Sequence, residues 1–136
     1  DWTTLFSSRS YLSWGGFAFE IICLKHVGQI KRTLKIGAVA SNNSTWRNDN
    51  AQIDLVIDRA DKTINLCELK FYAKEFTISK NYKGELMNKR AEFASEMSTR
   101  KNLLLTMITT YGVKTNKHSD EAMDAEVTMS SLFDKL

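Results

Sequence analysis

The sequence predicts an α/β fold, a mixed β-sheet flanked by helices in the order helix, three strands, helix, strand, with a short strand after it. Residues 51–58 alternate apolar and polar side chains, and residues 63–71 do so again after a short polar turn, the pattern of an antiparallel hairpin. Residues 80–99 carry apolar side chains at helical spacing. Beyond them, the nearly continuous apolar run from Leu103 to Ile108 reads as a strand buried on both faces.

Each element follows from its own pattern. Residues 11–27 form the first helix, with Trp14, Phe17, Ile21 and Leu24 as its apolar stripe and Ser13 as its cap. Gly15 and Gly16 are expected to precede its first full turn, because Gly inside a helix costs about 1 kcal/mol relative to Ala. Weak alternation over residues 34–40 suggests the first strand, followed by a polar loop through residue 50. In the second strand Ile53, Leu55 and Ile57 share one face, and Gln52, Asp54, Val56 and Asp58 the other. After a turn around residues 59–62, the third strand places Ile64, Leu66, Glu68 and Lys70 together. Tyr82, Leu86, Phe93 and Met97 form the stripe of the second helix, with Lys83, Lys89, Arg90 and Glu96 off it or beside it. Gly112 ends the strand of residues 101–111; residues 114–120 read as a loop, 125–129 as a short strand and 130–136 as a closing helical turn.

The length of 136 residues suits one domain spanning residues 1–136, and 43% hydrophobic with 26% charged residues is a folded rather than a disordered balance. No apolar run approaches the roughly 18 residues of a membrane span, and no basic-then-apolar leader opens the sequence. Cys23 and Cys67 lie inside apolar runs and are expected to be reduced core thiols of a cytoplasmic protein. Nineteen Lys and Arg against sixteen Asp and Glu leave +3, so a polyanion partner depends on where the charges cluster rather than on their total. The first residue is Asp1 rather than Met, which suggests a piece of a longer chain.

Chemistry concentrates where charge is expensive. Asp54 interrupts a strand of Ile, Leu and Val, and Glu68 and Lys70 stand two apart on one face of the next. In an antiparallel hairpin Asp54 and Glu68 come to the same end of the sheet. Two carboxylates there repel each other, and a divalent cation neutralises both better than one lysine does. For Asp54 to face Glu68, paired residue numbers must sum to 122, which demands an odd-length turn or a bulge. Hard oxygen ligands from Asp54 and Glu68, completed by water and the Leu69 carbonyl, suit Mg²⁺ or Mn²⁺. Lys70 then either handles the proton of a water or stabilises negative charge on phosphate. Glu20, three residues after Phe17 and four before Leu24, borders the expected stripe of the first helix and is a further candidate ligand.

Gly16-Phe17-Ala18-Phe19-Glu20, Gln52-Ile53-Asp54 and Glu68-Leu69-Lys70 together resemble the PD-(D/E)XK nuclease superfamily, with its restriction-endonuclease-like fold of αβββαβ order. More narrowly, residues 51–58 and 65–71 look like the nuclease-like domain C-terminal to archaeal-type AAA ATPases, and the resemblance extends from about Trp14 to Phe133. It implies a metal-dependent nuclease, with Asp54 and Glu68 as metal ligands, Lys70 activating water and Glu20 as the helix-borne acid. It also implies nucleic acid, in particular DNA, as partner and an N-terminal ATPase domain in the parent chain. Folds of this kind also form homo-oligomers. Ile53 stands where the motif has proline.

Blander readings sit beside these. Asp54, Glu68 and Lys70 can form an edge-strand ion-pair ladder, and the fold can serve as a weakly active or inactive accessory module of the ATPase. Lys25, Lys31, Arg32 and Lys35, like Lys80, Lys83, Lys89 and Arg90, are either solvated faces or phosphate contacts. His26 and His118 read as surface or capping residues, and Trp46 as packing at the sheet edge rather than a base-stacking platform.

Overall fold

A computed structural model describes residues 9–129. Helices α1 (Arg9–Lys25) and α2 (Val27–Thr33) precede strands β1 (Ser41–Arg47), β2 (Gln52–Arg59) and β3 (Thr63–Lys70). Helix α3 (Lys80–Met97), strand β4 (Asn102–Thr109), helix α4 (Lys117–Ala122) and strand β5 (Ala125–Thr128) follow. The five strands lie in the order β1-β2-β3-β4-β5. The β1–β2 and β2–β3 pairs are antiparallel, whereas the β3–β4 and β4–β5 pairs are parallel. The fold is therefore α/β, with a mixed sheet flanked by helices, as the sequence predicts.

The sheet is buried on both faces, and each face has its own core. On one side Phe19 and Cys23 of α1 and Ile30 of α2 pack on Leu55, Ile57, Cys67, Ile108 and Val127. On the other, Leu86 and Phe93 of α3 and Ala122 of α4 cover Ile53, Val56, Ile64, Leu66, Leu105 and Met107. Both cysteines are free and buried, as expected.

The first strand lies elsewhere than expected. Residues 34–40 are turns, with Lys35 at φ 63°, and Ile36 is buried in the α1-side core. The strand is Ser41–Arg47, a segment whose polar sequence reads as a loop. As an edge strand with mostly exposed side chains, β1 needs no apolar alternation.

The face of α1 also differs. Phe17 is 63% exposed and Ile21 and Leu24 are open to water, while Phe19 and Cys23 are buried. Ser13 lies inside the helix rather than at its start, and the Trp14 side chain lies outside the described residues. Gly15 is helical and marks a close approach: a Cβ there would meet the Phe71 ring at 2.7 Å. The glycine lets α1 settle against the end of β3.

Helix α3 starts where expected, with the Ser79 hydroxyl accepting the Tyr82 N–H at 3.1 Å. Leu86 and Phe93 are buried, but Met97 is 53% exposed because the helix ends there in the left-handed Ser98. Part of the expected 114–120 loop is α4, opened by a reciprocal Asn116–Ser119 capping box. The short strand is present as β5, and the helical turn expected at 130–136 lies outside the described residues.

Candidate functional site

The β2–β3 register meets the demand that the site makes. Leu55 pairs with Cys67, Val56 with Leu66, Ile57 with Asn65 and Asp58 with Ile64, so every pair sums to 122. The odd-length turn comprises Ala60, Asp61 and Lys62, with Lys62 in the left-handed region at φ 65°. Regular pairing stops at Leu55–Cys67, and the next two residues outward are Asp54 and Glu68.

Asp54 also lies in a bulge. Opposite β1, Ser44 pairs with Val56 but Trp46 pairs with Ile53, so Asp54 and Leu55 together face Thr45. The extra residue flips the alternation of β2. Ile53 joins Val56 in the α3-side core, while Leu55 and Ile57 face α1. The expected single face of Ile53, Leu55 and Ile57 is thereby corrected, and the bulge re-aims Asp54 at the point where the strands separate.

There each carboxylate reaches the backbone of the other strand. Asp54 Oδ2 accepts the Leu69 N–H at 2.9 Å, and the Asp54 N–H lies 3.4 Å from Glu68 Oε2. Glu68 is buried, on the same side of β3 as Ile64 and Leu66. Burial and the Asp54 charge push its carboxyl above the usual glutamate range, against the lowering effect of Lys89. The Lys89 ammonium, on α3, lies 2.5 Å from Glu68 Oε1.

Lys70 does not pair with either acid. Its ammonium lies over the Tyr82 ring at 5.0 Å and the Phe76 ring at 6.0 Å, on the face it shares with Glu68. The Tyr82 hydroxyl is buried and has no hydrogen-bond partner among the described residues. Burial and the Glu68 and Asp54 charges push that phenol well above its usual range. A buried orphan donor in the field of two carboxylates fits a site that takes up a further polar group. Two hard carboxylates are also what Mg²⁺ needs from a protein when waters complete its shell. The residues present thus fit a divalent cation.

Glu20 is not brought into this pair. Among the described residues no group of three or more His, Cys, Asp or Glu side chains gathers closely enough to hold a metal. Glu20 instead borders a hollow of about 440 Å³ with Thr45, Trp46, Arg47 and Gln52. Its helix packs on the α1 side of the sheet, whereas Glu68 faces α3.

Lys89 and Tyr82 are the residues that the sequence reasoning passed over in these roles. Of the other basic side chains of α3, Lys83 is ion-paired with Glu121 and Arg90 contacts the Met87 sulfur. Trp46 packs edge-on against Phe93 with ring centroids 5.3 Å apart, as expected for the sheet edge. Thr109 and Thr110 are fixed in the fold: Thr109 Oγ1 accepts the Gly112 N–H, and the Thr110 hydroxyl bonds the Tyr72 backbone.

No protein-family model, curated protein or solved structure matches the chain. No helix among the described residues is long and apolar enough to cross a membrane.

Proposed function

We propose that this chain is a divalent-metal-dependent phosphodiester hydrolase of the PD-(D/E)XK type, with DNA as its substrate. The observation that carries the reading is the pair of cross-strand contacts made by Asp54 and Glu68 where β2 and β3 part, with Lys70 on the same face. The five-stranded mixed sheet, with a three-strand antiparallel half joined to β4 across a helix, supports the restriction-endonuclease-like fold.

In this reading Asp54 and Glu68 hold Mg²⁺ or Mn²⁺, which when bound supplies Lewis-acid stabilisation of charge on the phosphate. The Leu69 N–H fixes the orientation of the Asp54 carboxylate. Lys70, held against two aromatic faces, presents a cation to the non-bridging phosphate oxygens. A water oxygen forms the new bond to phosphorus as the water gives up a proton, the bond to the leaving oxygen breaks, and the leaving oxygen takes up one proton, so that overall the elements of water are added across the phosphodiester. Glu20 lies outside the carboxylate pair, beside the hollow of Thr45, Trp46, Arg47 and Gln52, and no step is assigned to it.

A second reading is favoured by one contact. The Lys89–Glu68 pair already neutralises the more buried acid, which suits a metal-free accessory module of an ATPase. Incubating the protein with plasmid and single-stranded DNA plus Mg²⁺ or Mn²⁺, beside an Asp54→Ala/Lys70→Ala double variant, separates the two. The hydrolase reading expects metal-dependent nicking that falls at least about 100-fold in the double variant. Equal nicking by both proteins, or none by either, supports the accessory module.

A further inference from the structure

The site holds two lysines, and they do different things. Lys70 rests on aromatic rings, while Lys89 bonds directly to an acid whose side chain is only 4% exposed. Lys89 lies three residues after Leu86 and four before Phe93, both buried, so its stem runs along the core. Its side chain is 23% exposed, so it has a path back to water. A buried carboxylate tolerates ionisation only beside a cation, and in the chain as it stands that cation is Lys89.

A divalent ion shared by Asp54 and Glu68 draws on the two Glu68 oxygens, of which Oε2 lies 3.4 Å from the Asp54 backbone nitrogen and Oε1 is held by Lys89. An ammonium 2.5 Å from one of them would face the ion across a single carboxylate, and the two positive charges repel. We infer that Lys89 is an exchangeable counter-ion: it neutralises Glu68 in the metal-free chain and is displaced when a divalent cation enters. The inference rests on the metal-dependent reading above. It makes metal binding a swap of one cation for another, so the buried pair is never left uncompensated. The swap also explains how the fold is kept without metal, and it weakens metal binding by the strength of the pair it breaks. The displaced ammonium is left beside the site, on the side of α3.

Calorimetric titration of the 136-residue protein with MnCl₂ tests this, using wild type, Lys89→Met, Lys89→Arg and Glu68→Gln. Lys89→Met is expected to bind Mn²⁺ about tenfold more tightly, within the ordinary range of coupled binding equilibria. Lys89→Arg retains the weaker wild-type affinity because it keeps a competing cation, and Glu68→Gln loses binding. A second measurement follows acylation of Lys89 in the wild-type protein by mass spectrometry, and is expected to show faster labelling with Mn²⁺ than without it. If wild type binds Mn²⁺ but Lys89→Met binds no more tightly, the exchange is wrong and the metal site stands. If no variant binds Mn²⁺, the metal site and the exchange fall together. Should Lys89→Met fail to fold, labelling decides, and protection of Lys89 unchanged by Mn²⁺ overturns the exchange.

Discussion

At its turn end the β2–β3 hairpin carries Asp58, Arg59 and Asp61; at its open end it carries Asp54, Glu68 and Lys70. At the turn, Asp58 meets Lys101 at 2.6 Å with both side chains more than a third exposed, and Arg59 holds Asp61 and Asn65. Its charges are paired and in contact with water. At the open end Glu68 is buried near a second acid; among the described residues its only ion-pair partner comes from another element, and the Tyr82 hydroxyl has no partner. The same two strands thus hold charge in two ways. Charges placed to secure a turn are satisfied locally, whereas those at the open end are compensated only in part. Partial compensation under burial is what a binding site requires.

The comparison is broken most severely by removing one lysine at each end. Lys89→Met leaves Glu68 buried without its cation and is expected to lower metal-free stability by about 3 kcal/mol. Lys101→Met removes a solvated partner and is expected to cost less than about 1 kcal/mol. Urea unfolding in EDTA measures both, and equal losses would erase the distinction between the ends.

A smaller effect sharpens it through pH. The Glu68 carboxyl is raised in the folded protein, so the folded state binds its proton more readily than the unfolded chain does. Its contribution to stability is present below the ordinary glutamate range and is lost as pH rises through the raised value. In EDTA, wild-type stability is therefore expected to carry a downward component above that range. Glu68→Gln should remove the component, and Asp58→Asn should leave it in place. Denaturant midpoints across a pH series report the difference, and identical slopes in wild type and Glu68→Gln would contradict it.

Much of this was legible in the sequence. The alternation around Asp54 and Glu68 located the hairpin, and the demand that these two face each other implied the 122 register with an odd turn or a bulge, of which the structure has the register and the odd turn. What escaped was set by tertiary context. An edge strand such as β1 needs no apolar face, so its Ser-Asn-Asn-Ser-Thr sequence resembled a loop. In α1 two apolar sets compete, and the buried one follows Gly15, whose contact with Phe71 joins elements far apart in the chain. The bulge at Asp54 depends on pairing with β1, which the β2 sequence does not encode. Lys89 was within reach. It stands beside Leu86 and Phe93 at the same spacing that Glu20 has beside the expected stripe of α1, and Leu86 and Phe93 are buried.

The decisive measurement is a crystal structure of the protein soaked in MnCl₂. The account predicts an ion bridging carboxylate oxygens of Asp54 and Glu68 at about 2.0–2.2 Å, with the Lys89 ammonium moved away from Glu68. An intact Lys89–Glu68 contact with no ion at Asp54, at Mn²⁺ concentrations that saturate ordinary carboxylate sites, would contradict it.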